Sequence, residues 1–358
     1  MKNNKLLLTP PTPSPDRLYS LLGGCARGAK TFLAIHTALN KGVFTQLATP
    51  LSTQQLAEKL HLDLGVLQAL CALLHEAGML ALNENGAWTV PDDVKTFFVD
   101  KGPLNQRSVV DNLSETLALW EKLDDILESG PVNPFRTGLF GGAFLPALAA
   151  EALSGEAQRS AALLAAIPEM AQARDMVDLG GGHGLYALAA CARLPHLKTE
   201  ILDRESAAEV AQANIEHFGD GRTSFRVADI FHDPLGNNRD AALLFYNPGG
   251  KNAALLDRIH GCLKPGGIFA TKHAFYSRGE GGKDALNDLE WNLTAFPGVS
   301  KGPNVYRFLD DMDFEDYMDL FEKRFEILAD HGPEDFAAPD LGKFGDRLDS
   351  RLIIARKR

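Results

Sequence analysis

The sequence predicts an α/β fold: a doubly wound, seven-stranded sheet in the second half of the chain, preceded by a mainly α-helical domain. Three observations carry this. From Pro168 onward short apolar strands alternate with helices, as in a parallel sheet covered on both faces. The first strand, Met176-Val177-Asp178, ends in an acidic residue and runs through Leu179-Gly180-Gly181-Gly182-His183-Gly184 into an alanine-rich helix. Before Pro168 apolar residues recur at helical spacing, with a single short hairpin among them.

Composition bounds the function. With 358 residues, 45% hydrophobic and 23% charged, the chain is long enough for two domains with separate cores. A formal charge of -11 disfavours nucleic acid or an anionic membrane as partner, because a phosphate surface is bound through clustered Lys and Arg. Cys25, Cys71, Cys191 and Cys262 lie far apart without metal-ligand spacing, which reads as buried free thiols in a reducing cytoplasm. The apolar run before Pro10 is too short for a signal peptide or a membrane span.

Residues 1–16 are proline-rich and read as a flexible tail. Phe32, Ile35, Leu39 and Val43 then fall at helix spacing, and Ser52-Thr53-Gln54-Gln55 fits a capping box before a short helix, Leu56 to Leu60. A second helix, Val66 to Glu76, stops at Gly78. Met79 to Leu82 and Trp88 to Val90 read as a hairpin, with Asn85-Gly86 expected to supply two positive-φ positions. Helix, turn, helix and hairpin make a winged helix over residues 17–105. The helix that would enter a DNA groove, Leu62 to Gly78, has no Lys or Arg, so dimerisation is the better reading than DNA binding. Residues 106–167 read as a helical linker and roof: an amphipathic helix from Asn112 to Ser129, broken at Pro131 to Pro134, and a block from Phe144 to Ile167 buried on several sides.

Residues 168–358 form the α/β domain. Its expected strands are Met176 to Asp178, Thr199 to Leu202, Thr223 to Val227, Ala241 to Phe245, Ile268 to Lys272, Phe325 to Ala329 and Ser350 to Ala355. The arrangement is Rossmann-like, so a ligand belongs at the carboxyl ends of the first strands.

Three elements meet at that edge. Gly180, Gly182 and Gly184 allow a sharp turn and a close ligand approach. Asp203 ends the second strand, where a carboxylate accepts from ribose hydroxyls. Asp229 after the third strand suits an adenine amino group, with Ile230 or Phe231 packing on the ring. Gly182 to Ala187 also fits the GxGxxA pattern of dinucleotide folds, but Asp178 discriminates. A carboxylate there repels a pyrophosphate and attracts the ammonium of a methionine moiety. S-adenosylmethionine (SAM), with S-adenosylhomocysteine (SAH) as product, therefore fits better than NAD.

With these residues and Leu263-Lys264-Pro265-Gly266-Gly267, the chain from about residue 17 resembles the class I SAM-dependent methyltransferases, in particular the small-molecule O-methyltransferases of the plant caffeate type and their bacterial relatives. The resemblance implies a homodimer with interlocking amino-terminal modules and an acceptor pocket between helical roof and catalytic domain.

One departure limits the chemistry. The resemblance implies a histidine base just after the fourth strand, but here Phe245-Tyr246-Asn247 runs into Pro248-Gly249-Gly250-Lys251-Asn252 with no histidine, in a turn shortened by about four residues. A hydroxyl acceptor needs such a base, worth ~10²–10⁴-fold, whereas a thioether, thiol or activated carbon needs less. S-methylation or C-methylation is therefore favoured, with O-methylation using His273 or Tyr246 as one alternative and a SAM-binding regulator as another. His273 reads either as a base facing the pocket or as a structural histidine, and Tyr246 as a contact to the ligands or as packing. Trp291 and Asn292 lie where the resemblance implies acceptor-pocket residues, and Trp291 reads equally as a core tryptophan. Arg307 is a candidate for an acceptor carboxylate or a surface ion pair. His183 reads as solvent-facing or backbone-bound, and His331 as structural. The run Asp310 to Asp316 fits a surface helix that starts on acidic residues rather than a metal site.

Overall fold

The computed structural model describes residues 5–99, 101–134, 142–247, 249–296, 299–336 and 350–358. The chain divides into two compact units, Met1–Val110 and Asp111–Arg358.

In the first unit, α1 (Asp16–Asn40) is followed by α2 (Val43–Gln46). The expected continuation through Val43 is interrupted at Gly42, whose φ of 75° ends the helical path. The capping box forms as read: Ser52 accepts from the Gln55 amide and the Gln55 side chain accepts from the Ser52 amide, opening α3 (Thr53–Leu60). Asp63 caps α4 (Leu64–Glu76) by accepting from Val66 N. Leu67, Cys71 and Leu74 on α4 pack with Phe44, Leu47 and Leu56 into one core. The strands β1 (Ala81–Leu82) and β2 (Trp88–Thr89) pair antiparallel. Their turn differs from the expected form, since of the Asn-Gly pair only Gly86 takes a positive φ, 70°. Asn83 organises it instead, its side chain accepting from Asn85 N and Ala87 N. Cys71, Cys191 and Cys262 are buried, but Cys25 is exposed on α1, against the expectation of four buried thiols.

Helix α5 (Arg107–Trp120) leads into the second unit, where α6 (Leu123–Ser129) follows a break that splits the expected single helix. The roof block is also divided: α7 (Phe144–Glu151), a π-turn (Ala152–Glu156) with Gly155 at φ 136°, and α8 (Ala157–Ala165).

All seven expected strands are present. They are β3 (Asp175–Leu179), β4 (Lys198–Asp203), β5 (Thr223–Val227), β6 (Arg239–Phe245), β7 (Leu263–Ala274), β8 (Phe325–His331) and β9 (Ser350–Lys357). They lie in the order β5-β4-β3-β6-β7-β9-β8, parallel except for β9, which runs antiparallel to both neighbours. The connecting helices are α9 (Leu185–Arg193), α10 (Glu205–Phe218), α11 (Ala253–Cys262), α12 (Ala285–Asn292) and α13 (Phe314–Glu322). The order reverses between β3 and β6, which opens a crevice at their carboxyl ends.

Alternation along each strand sends neighbouring side chains to opposite cores. Met176, Leu243, Phe245, Ile268 and Ala270 join the α7, α8 and α9 side. Val177, Leu179, Leu244 and Phe269 join the α11 and α13 side with Tyr317 and Phe321.

Candidate functional site

The glycine turn follows β3. Gly180, Gly182 and Gly184 all take positive φ (62°, 53° and 75°), a region that penalises any Cβ. Gly184 then caps the start of α9. His183 is backbone-bound, as one of its two readings had it: Nδ1 accepts from Leu185 N and its carbonyl accepts from Asn214.

Two carboxylates stand under this turn. Asp178 is 1% exposed and its Oδ2 has no hydrogen-bond partner. Burial, with Asp203 close by, lifts its carboxyl to about 7. Asp203 ends β4, its Oδ2 accepting from Gly182 N at 2.7 Å and its Oδ1 from Arg204 N. Burial outweighs these bonds and raises its pKa. A buried, unpartnered carboxylate beside a second one is a site in want of a cation, and it fits the ammonium end of SAM.

Asp229 is tied into its own turn, Oδ1 accepting from Phe231 N and Oδ2 pairing with His232. Ile230 is buried in the core on the α11 side. Phe231 reaches across instead, its ring tip 3.5 Å from where a Cβ on Gly249 would stand. That contact joins the loop after β5 to the turn after β6.

The turn after β6 is described except for Pro248, which lies outside the described residues. Tyr246 takes φ 52°, an uncommon conformation for a bulky side chain, and its hydroxyl donates to Glu156 Oε1 at 2.6 Å. Burial and the nearby Glu156 charge raise its pKa well above the usual tyrosine range. Lys251 is buried and donates to the carbonyls of Ala274 and Tyr306, with Asp311 at 3.0 Å. Burial lowers its pKa despite that partner.

His273 lies on β7, 3% exposed, on the α13 side of the sheet. Its ring fills the space beside Gly250, where a Cβ would stand 2.6 Å from Cε1 and 2.8 Å from Nε2. Nε2 has no hydrogen-bond partner, and burial followed by the Lys251 charge holds the imidazole well below its ordinary pKa. Tyr246 packs on the opposite core, so the two candidate bases occupy different sides of the sheet.

The candidate acceptor residues are engaged within their own segment. Trp291 Nε1 donates to Gly302 O, with the Lys301 ammonium 4.2 Å from its ring centroid. Asn292 is exposed and donates to Asp288 O and Pro303 O. Arg307 pairs with Asp313 at 2.7 Å and lies over the Tyr276 ring. The run does lead into a helix that starts on acidic residues, with Glu315 and Asp316 in the first turn of α13, but Asp311 and Asp313 hold buried or half-buried cations and so are not surface features. His331 pairs with Asp335 at the end of β8.

Sequence reasoning missed Asn247, Lys251, Glu156 and Lys272. A lysine inside an otherwise apolar strand, as Lys272 is, was the available signal that a buried counter-charge existed elsewhere.

Residues 152–286, which contain the glycine turn, Asp203 and the turn after β6, match the O-methyltransferase domain family. The chain carries a SAM-dependent methyltransferase domain. The methyltransferase is 26% identical to an uncharacterized protein of Methanocaldococcus jannaschii over 98% of this chain and 100% of that one. It is 35% identical to the 3-hydroxy-5-methyl-1-naphthoate 3-O-methyltransferase of Streptomyces sahachiroi over 82 residues, 23% of this chain and 24% of that one. Its fold is shared with an O-methyltransferase family protein from Burkholderia thailandensis, at a TM-score of 0.70 and 16% identity, over 94% of this chain and 97% of that one. Human N-acetylserotonin methyltransferase, solved with SAM, has a TM-score of 0.68 at 21% identity over 97% and 99% of the two chains. No helix among the described residues is long and apolar enough to cross a membrane.

Proposed function

We propose that this methyltransferase acts in the cytoplasm on a small molecule whose accepting atom needs little deprotonation: a thioether, a thiol or an activated carbon. One observation carries this reading. The shortened turn after β6 presents Tyr246, Asn247 and Gly249, with no imidazole in it. Tyr246 donates a hydrogen bond to Glu156 in the resting site and keeps its proton, so its oxygen is a poor proton acceptor. His273 is kept neutral by burial and Lys251, which makes it a weak base.

In this reading Asp178 holds the ammonium group, Asp203 the ribose hydroxyls, and Asp229 and Phe231 the adenine. SAM, when bound, supplies an electrophilic methyl group. The protein's own contribution is to hold the accepting atom in line with that methyl and keep water away, which places the rate advantage in positioning.

A hydroxyl acceptor is the second reading. It is favoured by His273, whose imidazole burial keeps neutral and whose Nε2 has no hydrogen-bond partner. We further propose that the amino-terminal unit is a winged-helix module joining two copies. Leu18, Tyr19, Leu21 and Leu22, one to four residues apart on α1, are all at least half exposed in the single chain.

The test is calorimetric titration with SAH and with NAD, followed by turnover of labelled SAM against thioether, thiol, carbon and hydroxyl acceptors. SAH binding and turnover confined to the first three classes is expected. Turnover of hydroxyl acceptors alone would overturn the acceptor assignment, and NAD binding without SAH binding would overturn the cofactor assignment. Light scattering before and after Leu21→Glu checks the dimer.

A further inference from the structure

Glu156 ends the π-turn between α7 and α8, and its carboxylate gathers donors from three other elements. Tyr246 Oη at the end of β6 lies 2.6 Å away and Lys272 Nζ on β7 lies 2.5 Å away, both on Oε1. The Tyr186 hydroxyl, from the first turn of the helix after the glycine turn, bonds the same carboxylate. Lys272 is 1% exposed, so its charge is tolerable only with a counter-ion in place. Its ammonium also lies 3.4 Å from the Phe336 ring centroid.

The same roof element touches the cofactor turn. Leu145 Cδ1 on α7 lies 3.4 Å from where a Cβ on Gly182 would be. Between Leu145 and Glu156, Gly155 takes φ 136°, a conformation essentially confined to glycine, and breaks the helical path one residue before the carboxylate. One end of the roof thus rests on the glycine turn, and the other is fastened to the sheet through a joint. At the fastened end Tyr246 keeps a strained φ of 52°, as residues do when their surroundings over-determine them.

We propose that Glu156 is a positioning residue: it latches the roof over the cofactor turn, so that SAM and SAH enter and leave when the Glu156 contacts open, and it fixes the Tyr246 phenol at the reaction edge. This rests on the reading of the glycine turn as the SAM site. A roof that merely packs would contribute to stability without governing ligand exchange.

Removing one partner alone strands a buried charge, so the informative variant removes both, Glu156→Leu with Lys272→Met, replacing the ion pair by apolar side chains. Glu156→Gln is the conservative companion, keeping an acceptor for the tyrosines while losing the charge. Three quantities are measured: the thermal midpoint, the SAH dissociation rate by stopped flow, and amide exchange over residues 144–165. The expected result for the double variant is a thermal midpoint close to wild type, SAH dissociation at least tenfold faster and faster exchange in the roof. Glu156→Gln, which leaves the Lys272 charge buried against a neutral amide, is expected to have the lowest thermal midpoint and a dissociation rate between the two, and it carries the test alone should the double variant fail to fold. Dissociation within twofold of wild type in the folded variants would overturn the latch. Failure of the wild-type protein to bind SAH would instead overturn the cofactor reading beneath it.

Discussion

The side chain of Asn247 occupies the place that a Cβ on Gly180 would need. The turn after β6 and the glycine turn after β3 therefore close on each other across the switch point, with Gly180 already at φ 62°. Gly180→Ala meets both a steric and a conformational penalty, and a loss of more than 1 kcal/mol in stability is expected together with weakened SAH binding. Asn247→Ala removes the collision but not the φ penalty. In a double-mutant cycle, measured by urea unfolding, Asn247→Ala should recover part of the loss caused by Gly180→Ala. Strict additivity would show that the two residues are not in contact.

Asp178 makes a pH-dependent prediction. Its carboxyl is raised from 3.8 to about 7, so between those values the folded protein holds a proton that the unfolded chain has released. Folding stability from this group is present at low pH and is lost as pH rises toward 7, up to a few kcal/mol in all at ~1.4 kcal/mol per pKa unit. Asp178→Asn should flatten that slope between pH 5 and 7.5 in thermal melts. An ammonium placed against the carboxylate reverses the preference, so SAM should bind more tightly as pH rises through 7 and release a proton on binding. Calorimetry in buffers of different ionisation enthalpy reads that proton directly.

Strand period and glycine chemistry made the sheet legible in advance. Seven apolar runs each had to form a buried strand, and a glycine cluster after the first admits few conformations besides a ligand turn. The helical half was readable at its caps, where Ser52 and Asp63 act within three residues of themselves. What stayed hidden depends on contacts far apart in sequence: Glu156 meets residues 90 and 116 positions away. Arg307 and Asp313 looked like separate features because their pairing depends on how a loop folds back.

The buried pair of Lys251 and Asp311 ties the loop before α13 to the turn after β6, and Lys251 also reaches the end of β7 through the Ala274 carbonyl. Side-chain exposures are 5% and 2%, far from the surface regime in which an ion pair is worth little. Lys251→Met leaves buried Asp311 without its counter-ion and removes the Lys251 donor from the carbonyls of Ala274 and Tyr306. A loss of ~3–5 kcal/mol in unfolding free energy is expected. Removing both charges, Lys251→Met with Asp311→Leu, should cost less than Lys251→Met alone. Urea unfolding of the three proteins decides this, and a single-variant loss below 1 kcal/mol would mean that water reaches the pair.

His273 separates the two acceptor readings. Its imidazole is neutral across the physiological range, because burial and the Lys251 charge both oppose protonation. The unfolded chain takes up a proton near the ordinary histidine pKa of ~6.5 while the folded one does not, so this group costs stability as pH falls below that value. Replacement by Gln keeps much of the volume beside Gly250 and removes the ring nitrogen that would accept a proton. For an acceptor needing little deprotonation, His273→Gln should leave kcat/KM within about tenfold of wild type and the pH profile unchanged from 6 to 8. A fall of ~10²–10⁴-fold, with the fold and SAH affinity preserved and the acidic limb of the profile moved, would identify His273 as the base and make the acceptor a hydroxyl. The same variant, assayed with the acceptor found in turnover, thus decides which atom is methylated.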